Sequence, residues 1–91
     1  MSLAPGARPK LGRLFRIQWE EVQRCHVLLY PEGMVRLNQS AGEVMKRCDG
    51  SRTADEIIAD LERSFGAANL RDDVEAFLEI ALKQGWVDTG A

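Results

Sequence analysis

The sequence is poor in the residues that build reactive centres. Among 91 residues it has two cysteines, one histidine, one tyrosine and three prolines. Cys25 and Cys48 are too few for a disulfide framework, and His26 does not complete a metal site with them at that spacing. No glycine-rich phosphate loop, C-x-x-C pair or G-x-S-x-G elbow occurs. The longest clear apolar run, residues 27–30, is far short of the roughly 20 residues a membrane span needs. Residues 1–6 lack the apolar stretch of a signal peptide, so a cytoplasmic location is the expectation. These shortages give no support to an enzyme, a cofactor, a metal site or a membrane role.

What is present suits a small folded domain. The chain is 45% hydrophobic and 29% charged, which argues against general disorder. Its length fits one compact domain with a modest core. Net charge is −2 but unevenly spread. Residues 1–52 carry nine Lys and Arg against five Asp and Glu, whereas residues 53–91 carry three against nine. Such asymmetry can steer a charged partner to one side, although two solvated faces are the preferred explanation of charge clusters alone.

Residues 1–12 hold Pro5, Gly6, Pro9 and Gly12 without periodicity and read as a flexible tail, leaving residues 13–91 as the domain. From Phe15 the period is two: Phe15, Ile17 and Trp19 alternate with Arg16, Gln18 and Glu20, as in a strand with one buried face. Residues 25–30 are apolar on both faces and suit a central strand. Tyr30-Pro31-Glu32-Gly33 has type I turn chemistry and leads into a third strand, residues 33–37. Beyond it the period turns helical. Asn38 or Ser40, the latter with Glu43, caps a first helix carrying Ala41, Val44, Met45 and Cys48 and ending at Gly50. Thr53 and Glu56 form a capping box for a second helix burying Ile57, Ile58, Leu61 and Phe65 up to Gly66. Asn69 caps a third, with Leu70, Val74, Phe77, Leu78 and Ala81 as its apolar stripe, closed by Gly85. Trp86-Val87 reads as a short returning segment. The expected fold is α+β, a three-stranded antiparallel sheet followed by a three-helix bundle, in the order βββααα.

Cys25 and His26 invite a nucleophile–base reading, but strand neighbours point to opposite faces. Cys25 and Cys48 read better as small core residues, and Trp19 and Trp86 as core edges or partner anchors. Glu20-Glu21 and Asp72-Asp73 have no accompanying histidine, and adjacent acids do not share a face. The third strand is more informative. Its outer edge leaves main-chain groups unpaired, and an extended peptide gains hydrogen bonds by adding there.

Residues 13–87 resemble the PqqD family. The resemblance rests on Val27-Leu28-Leu29-Tyr30-Pro31-Glu32-Gly33, on Leu37-Asn38, and on Cys48-Asp49-Gly50 before Thr53-Ala54-Asp55-Glu56-Ile57-Ile58. It implies a winged-helix-like peptide-recognition domain, a recognition element for ribosomally made, modified peptides. Such a domain binds the leader of the precursor PqqA and presents it to the radical S-adenosylmethionine enzyme PqqE in pyrroloquinoline quinone biosynthesis. The resemblance implies no catalysis and no cofactor. It further implies that the leader adds to residues 33–37 and lies against residues 69–84. The expected peptide contacts are therefore Met34, Val35, Arg36, Leu37, Arg71, Val74, Glu75 and Leu78, and Val35→Pro is expected to obstruct strand addition. The alternative from another class, a winged-helix DNA-binding module, fits poorly. The third helix has Arg71 and Lys83 against Asp72, Asp73, Glu75 and Glu79, which repels phosphates. A monomer or weak homodimer is the expected state, since the exposed strand edges can pair between copies or exchange segments at high concentration.

Overall fold

The computed structural model describes residues 6–89. In chain order its elements are β1 (Lys10–Leu11), β2 (Arg16–Glu20), β3 (Cys25–Tyr30), β4 (Gly33–Arg36), α1 (Gln39–Lys46), α2 (Ala54–Phe65), α3 (Arg71–Lys83) and β5 (Val87–Asp88). The alternating and the doubly apolar segments make the antiparallel sheet β2-β3-β4, with β3 in the middle. Register places Ile17, Leu28 and Val35 in one cross-strand row on the inner face, with Trp19 and His26 beside them. Arg16, Leu29 and Met34 form a row on the outer face, with Gln18, Val27 and Arg36 in the next.

The inner face meets α1 at Gly42. A Cβ built there would stand 3.0 Å from His26 Nδ1, so the missing side chain is what lets the helix lie on β3. The core is Leu28, Leu37, Val44, Met45, Cys48, Ile57, Ile58, Leu61, Val74, Leu78, Ala81 and Val87, drawn from the sheet and all three helices. Burying each of its larger side chains contributes about 1.5–3 kcal/mol, which makes this cluster the main source of stability. Among the described residues no polar or charged residue is buried with it.

Helix starts follow local chemistry in two of three cases. Asn38 Oδ1 accepts from the Ala41 N–H at 2.7 Å and caps α1, while Ser40 lies inside the helix. Thr53 and Glu56 form the expected box, at 3.2 and 2.8 Å, and Gly66 ends α2 with a left-handed φ of 58°. At α3 the expectation fails. Asn69 is itself left-handed, at φ 63°, and the N-cap is Leu70, with no side-chain cap. Glu62 from α2 reaches across instead and accepts from the Leu70 N–H at 3.0 Å. Nor does Gly50 end α1, which stops at Lys46; Gly50 donates its N–H to Pro9 O at 3.0 Å in the bend beyond. Arg47 ties α1 to α2, with Nε 2.5 Å from Asp60 Oδ2 and Nη1 2.9 Å from Glu43 Oε1.

The stretch expected as a tail joins the fold before Gly12. Lys10–Leu11 pairs antiparallel with Val87–Asp88, Leu11 N–H donates to Cys48 O, Gly12 N–H donates to Trp86 O, and Pro9 is buried. A two-residue strand shows no periodicity, and its partner lies at the opposite end of the described chain; neither is visible locally. Residues 1–5 of that expected tail lie outside the described residues. Among the described residues no helix is long and apolar enough to cross a membrane.

Candidate functional site

The outer edge of β4 has a determinate polarity. Leu37 N–H donates to His26 O at 2.9 Å, and register sets Val35 opposite Leu28 and Gly33 opposite Tyr30. Antiparallel pairs alternate between bonded and non-bonded, so Gly33, Val35 and Leu37 turn their main-chain groups inward to β3. Met34 and Arg36 therefore turn theirs outward, where no described strand pairs with them. This corrects the expectation for Val35. Its N–H is already used inside the hairpin, so proline there breaks the β3–β4 ladder before it obstructs any ligand.

Side chains divide the other way. Val35 is half-buried against the core, while Met34, 49% exposed, and Arg36 stand on the outer face. Leu37, Val74 and Leu78 belong to the core itself, at 5%, 5% and 0% exposure, and are not free to make surface contacts. Arg71 is exposed yet committed: Nη1 lies 2.8 Å from Asp55 Oδ1 and 2.9 Å from Glu75 Oε2, and these bonds, first that to Asp55, raise its pKa. Of the eight expected contacts, five are at the surface and three are core.

Beyond the end of β4, the first turn of α1, the end of α2 and the start of α3 enclose a cleft of about 310 Å³. Val44, Leu61, Phe65, Ala67, Leu70 and Val74 make it apolar, and Gln39, Ser40, Glu43 and Asp73 rim it. Phe65, expected in the core, is 49% exposed and lines this cleft. Sequence reasoning found only Val74 here as a contact, because the lining comes one or two residues at a time from separate segments. The hydrogen bond from Arg47 holds the Glu43 carboxyl below its usual pKa, against the opposing effect of burial, and fixes that rim charge. The cleft suits a bulky apolar side chain.

The remaining candidates form no reactive site. Cys25 and His26 diverge to opposite faces of β3, and His26 stacks edge-on with Trp19, ring centroids 5.0 Å apart. Burial pushes the Cys48 thiol up to about 12, and its Sγ donates to Val44 O at 3.3 Å, so it is not a nucleophile at neutral pH. No group of three potential metal ligands occurs among the described residues.

The described residues thus leave the β4 edge of the sheet open and an apolar cleft among the three helices. Residues 25–87 match the family described as Coenzyme PQQ synthesis protein D (PqqD). The chain belongs to the PqqD family. A PqqD relative from Stutzerimonas stutzeri, named PqqA binding protein, is 48% identical over 81 residues, covering 88% of each chain. Another of that name, from Methylococcus capsulatus, is 44% identical over 87 residues, covering 96% of this chain and 94% of its own. The solution structure of the PqqD truncation of Methylobacterium extorquens PqqCD has the same fold. Its TM-score is 0.71 at 28% identity, covering 97% of this chain and 95% of that one, and it is described as a functional, stand-alone RiPP recognition element. The α+β architecture expected from sequence is thus the PqqD architecture.

Proposed function

We propose that this PqqD protein is a non-catalytic carrier in pyrroloquinoline quinone biosynthesis that binds the precursor peptide PqqA and presents it to the radical enzyme PqqE. The observation that carries the reading is the pair of outward-facing main-chain units at Met34 and Arg36 on an edge that no described strand covers. An added strand bonds to those two units, and every second ligand side chain points inward toward Val35 and α3. Apolar residues at those positions, with one large enough for the cleft, give affinity and register. On this reading the Arg71–Glu75 pair is available to polar groups of the peptide, while Leu37, Val74 and Leu78 act from within the core. The names of the relatives support PqqA as the ligand. Nothing favours the DNA-binding alternative: Arg71 is already neutralised, and Asp72 and Asp73 occupy the first turn of α3.

Amide hydrogen exchange tests this directly. In the free protein the Met34 and Arg36 amides are expected to exchange fast and those of Val35 and Leu37 to be protected. Saturating PqqA is expected to protect Met34 and Arg36 as well. If both still exchange freely in the saturated complex, the peptide does not add to this edge.

A further inference from the structure

The sheet has a second open edge, on β2, and its parity follows from the same ladder. His26, Leu28 and Tyr30 turn their main-chain groups toward β4, so Cys25, Val27 and Leu29 turn theirs toward β2 and bond with Glu20, Gln18 and Arg16. Ile17 and Trp19 therefore turn their N–H and C=O groups outward, where no described strand pairs with them. The strand lacks several usual guards of an exposed edge: it has no proline, no lysine, and an unbroken register against β3 with no bulge. Its sequence, Arg16-Ile17-Gln18-Trp19-Glu20, is also complementary to its own reverse. Arg16 is exposed and makes no ion pair among the described residues. Glu20 Oε1 accepts from the Val22 N–H at 3.2 Å, which leaves its carboxylate capacity for a cation.

We propose that β2 pairs with β2 of a second copy of this chain, antiparallel about a two-fold axis at Gln18. Bonded antiparallel pairs join residues that both face the new partner, so Ile17 and Trp19 can bond only with Ile17 and Trp19. Setting Ile17 opposite the partner's Trp19 makes two bonded pairs and four main-chain hydrogen bonds. A shift by two residues either way leaves a single bonded pair within β2. The same register puts Arg16 opposite the partner's Glu20 at both ends, where opposite charges attract across the strands. On the inner face, Ile17 meets the partner's Trp19 twice. Space for that indole exists, because Leu11, Ile17, Trp19, His26 and Met45 line a cleft of about 510 Å³. The β4 edge lacks this symmetry: a two-fold axis at Val35 sets Met34 opposite the partner's Arg36, and one at Arg36 sets cation against cation. Pairing through β2 gives a continuous six-stranded sheet with a β4 edge at each end, five strand spacings or roughly 24 Å apart. The interface is small, so the dimer forms at high concentration, and it leaves both β4 edges open.

Charge exchange tests this with the full chain. The parent should show a concentration-dependent dimer by sedimentation equilibrium, and its Ile17 and Trp19 amides should gain protection from exchange as the dimer forms. Arg16→Glu and Glu20→Arg each set like charges opposite one another at both ends, and each should weaken self-association at least about tenfold. An equimolar mixture of the two variants restores both opposite-charge pairs and should dimerise as the parent does, which a misfolded variant could not do. A parent that stays monomeric at its highest soluble concentration would overturn the proposal, as would single variants that dimerise like the parent. Protection at Met34 and Arg36 instead of Ile17 and Trp19 would assign the dimer to β4, and protection of Ile17 and Trp19 by PqqA in the dilute monomer would make β2 a peptide edge; either result refutes it. The amides are read on the parent, so that arm stands even where Glu20→Arg fails to fold.

Discussion

Adjacent residues on β4 do different work, and substitution separates them. Met34 and Arg36 keep their N–H groups outside the hairpin, so proline at either leaves the β3–β4 ladder bonds intact. Each such variant is expected to fold and to bind PqqA at least about tenfold more weakly, through a lost main-chain bond and an obstructed edge. Val35→Pro should instead lower the melting temperature, since it removes a donor to Leu28. Calorimetric titration and thermal melts of the three variants distinguish the two roles; equal peptide affinity in folded Met34→Pro and Arg36→Pro would contradict the assignment. The cysteines divide as sharply. Cys48 is buried with its thiol pushed up to about 12, whereas Cys25 is only half-buried. Iodoacetamide at mildly alkaline pH should label Cys25 well before Cys48, as read by mass spectrometry of the digested protein.

At the scale of elements, the helices are held by two kinds of bond. Thr53 and Glu56 cap α2 locally, and Thr53→Ala should cost about 1 kcal/mol in denaturant unfolding. Arg47 joins elements: its guanidinium meets Glu43 on its own helix and Asp60 on α2, with only 14% of its side chain exposed. Arg47→Met should destabilise by about 1–2 kcal/mol, because two part-buried carboxylates lose their charged donor. A change indistinguishable from zero would mean that α1 and α2 are joined by apolar packing alone.

For the whole molecule, acid is the expected point of weakness. Glu43 and Asp60 are held below their usual pKa by hydrogen bonds from Arg47, Asp49 by Ser51 and Glu56 by Thr53. A carboxyl whose folded pKa is depressed stabilises the fold above its unfolded pKa, about 4, and loses that contribution as pH falls through the folded value. The melting temperature should therefore hold from neutral pH to about pH 5 and then drop, less steeply in Arg47→Met. Circular dichroism melts across that range check the sign. The β1–β5 ribbon joins the two ends of the described chain, so removing residues 1–12 should also lower the melting temperature, contrary to the behaviour of a free tail.

The sequence by itself determined the parts of this protein that depend on neighbours within a few residues. Alternation at Phe15, Ile17 and Trp19, the Pro31 turn, and the Thr53 box ending at Gly66 each specify an element locally, and they gave the order βββααα. The resemblance carried by Leu28-Leu29-Tyr30-Pro31-Glu32-Gly33 named the family and, with it, the peptide and the edge that are proposed here as its site. Tertiary structure decided what depends on partners distant in the chain. Glu62 rather than Asn69 serves the start of α3, Phe65 lines a cleft instead of the core, and Lys10–Leu11 becomes a strand only because Val87–Asp88 lies beside it. It also decided which main-chain groups of β4 are open, since pairing parity is a property of two strands. A residue's period records which side is apolar; which groups remain unbonded is fixed only when another strand arrives.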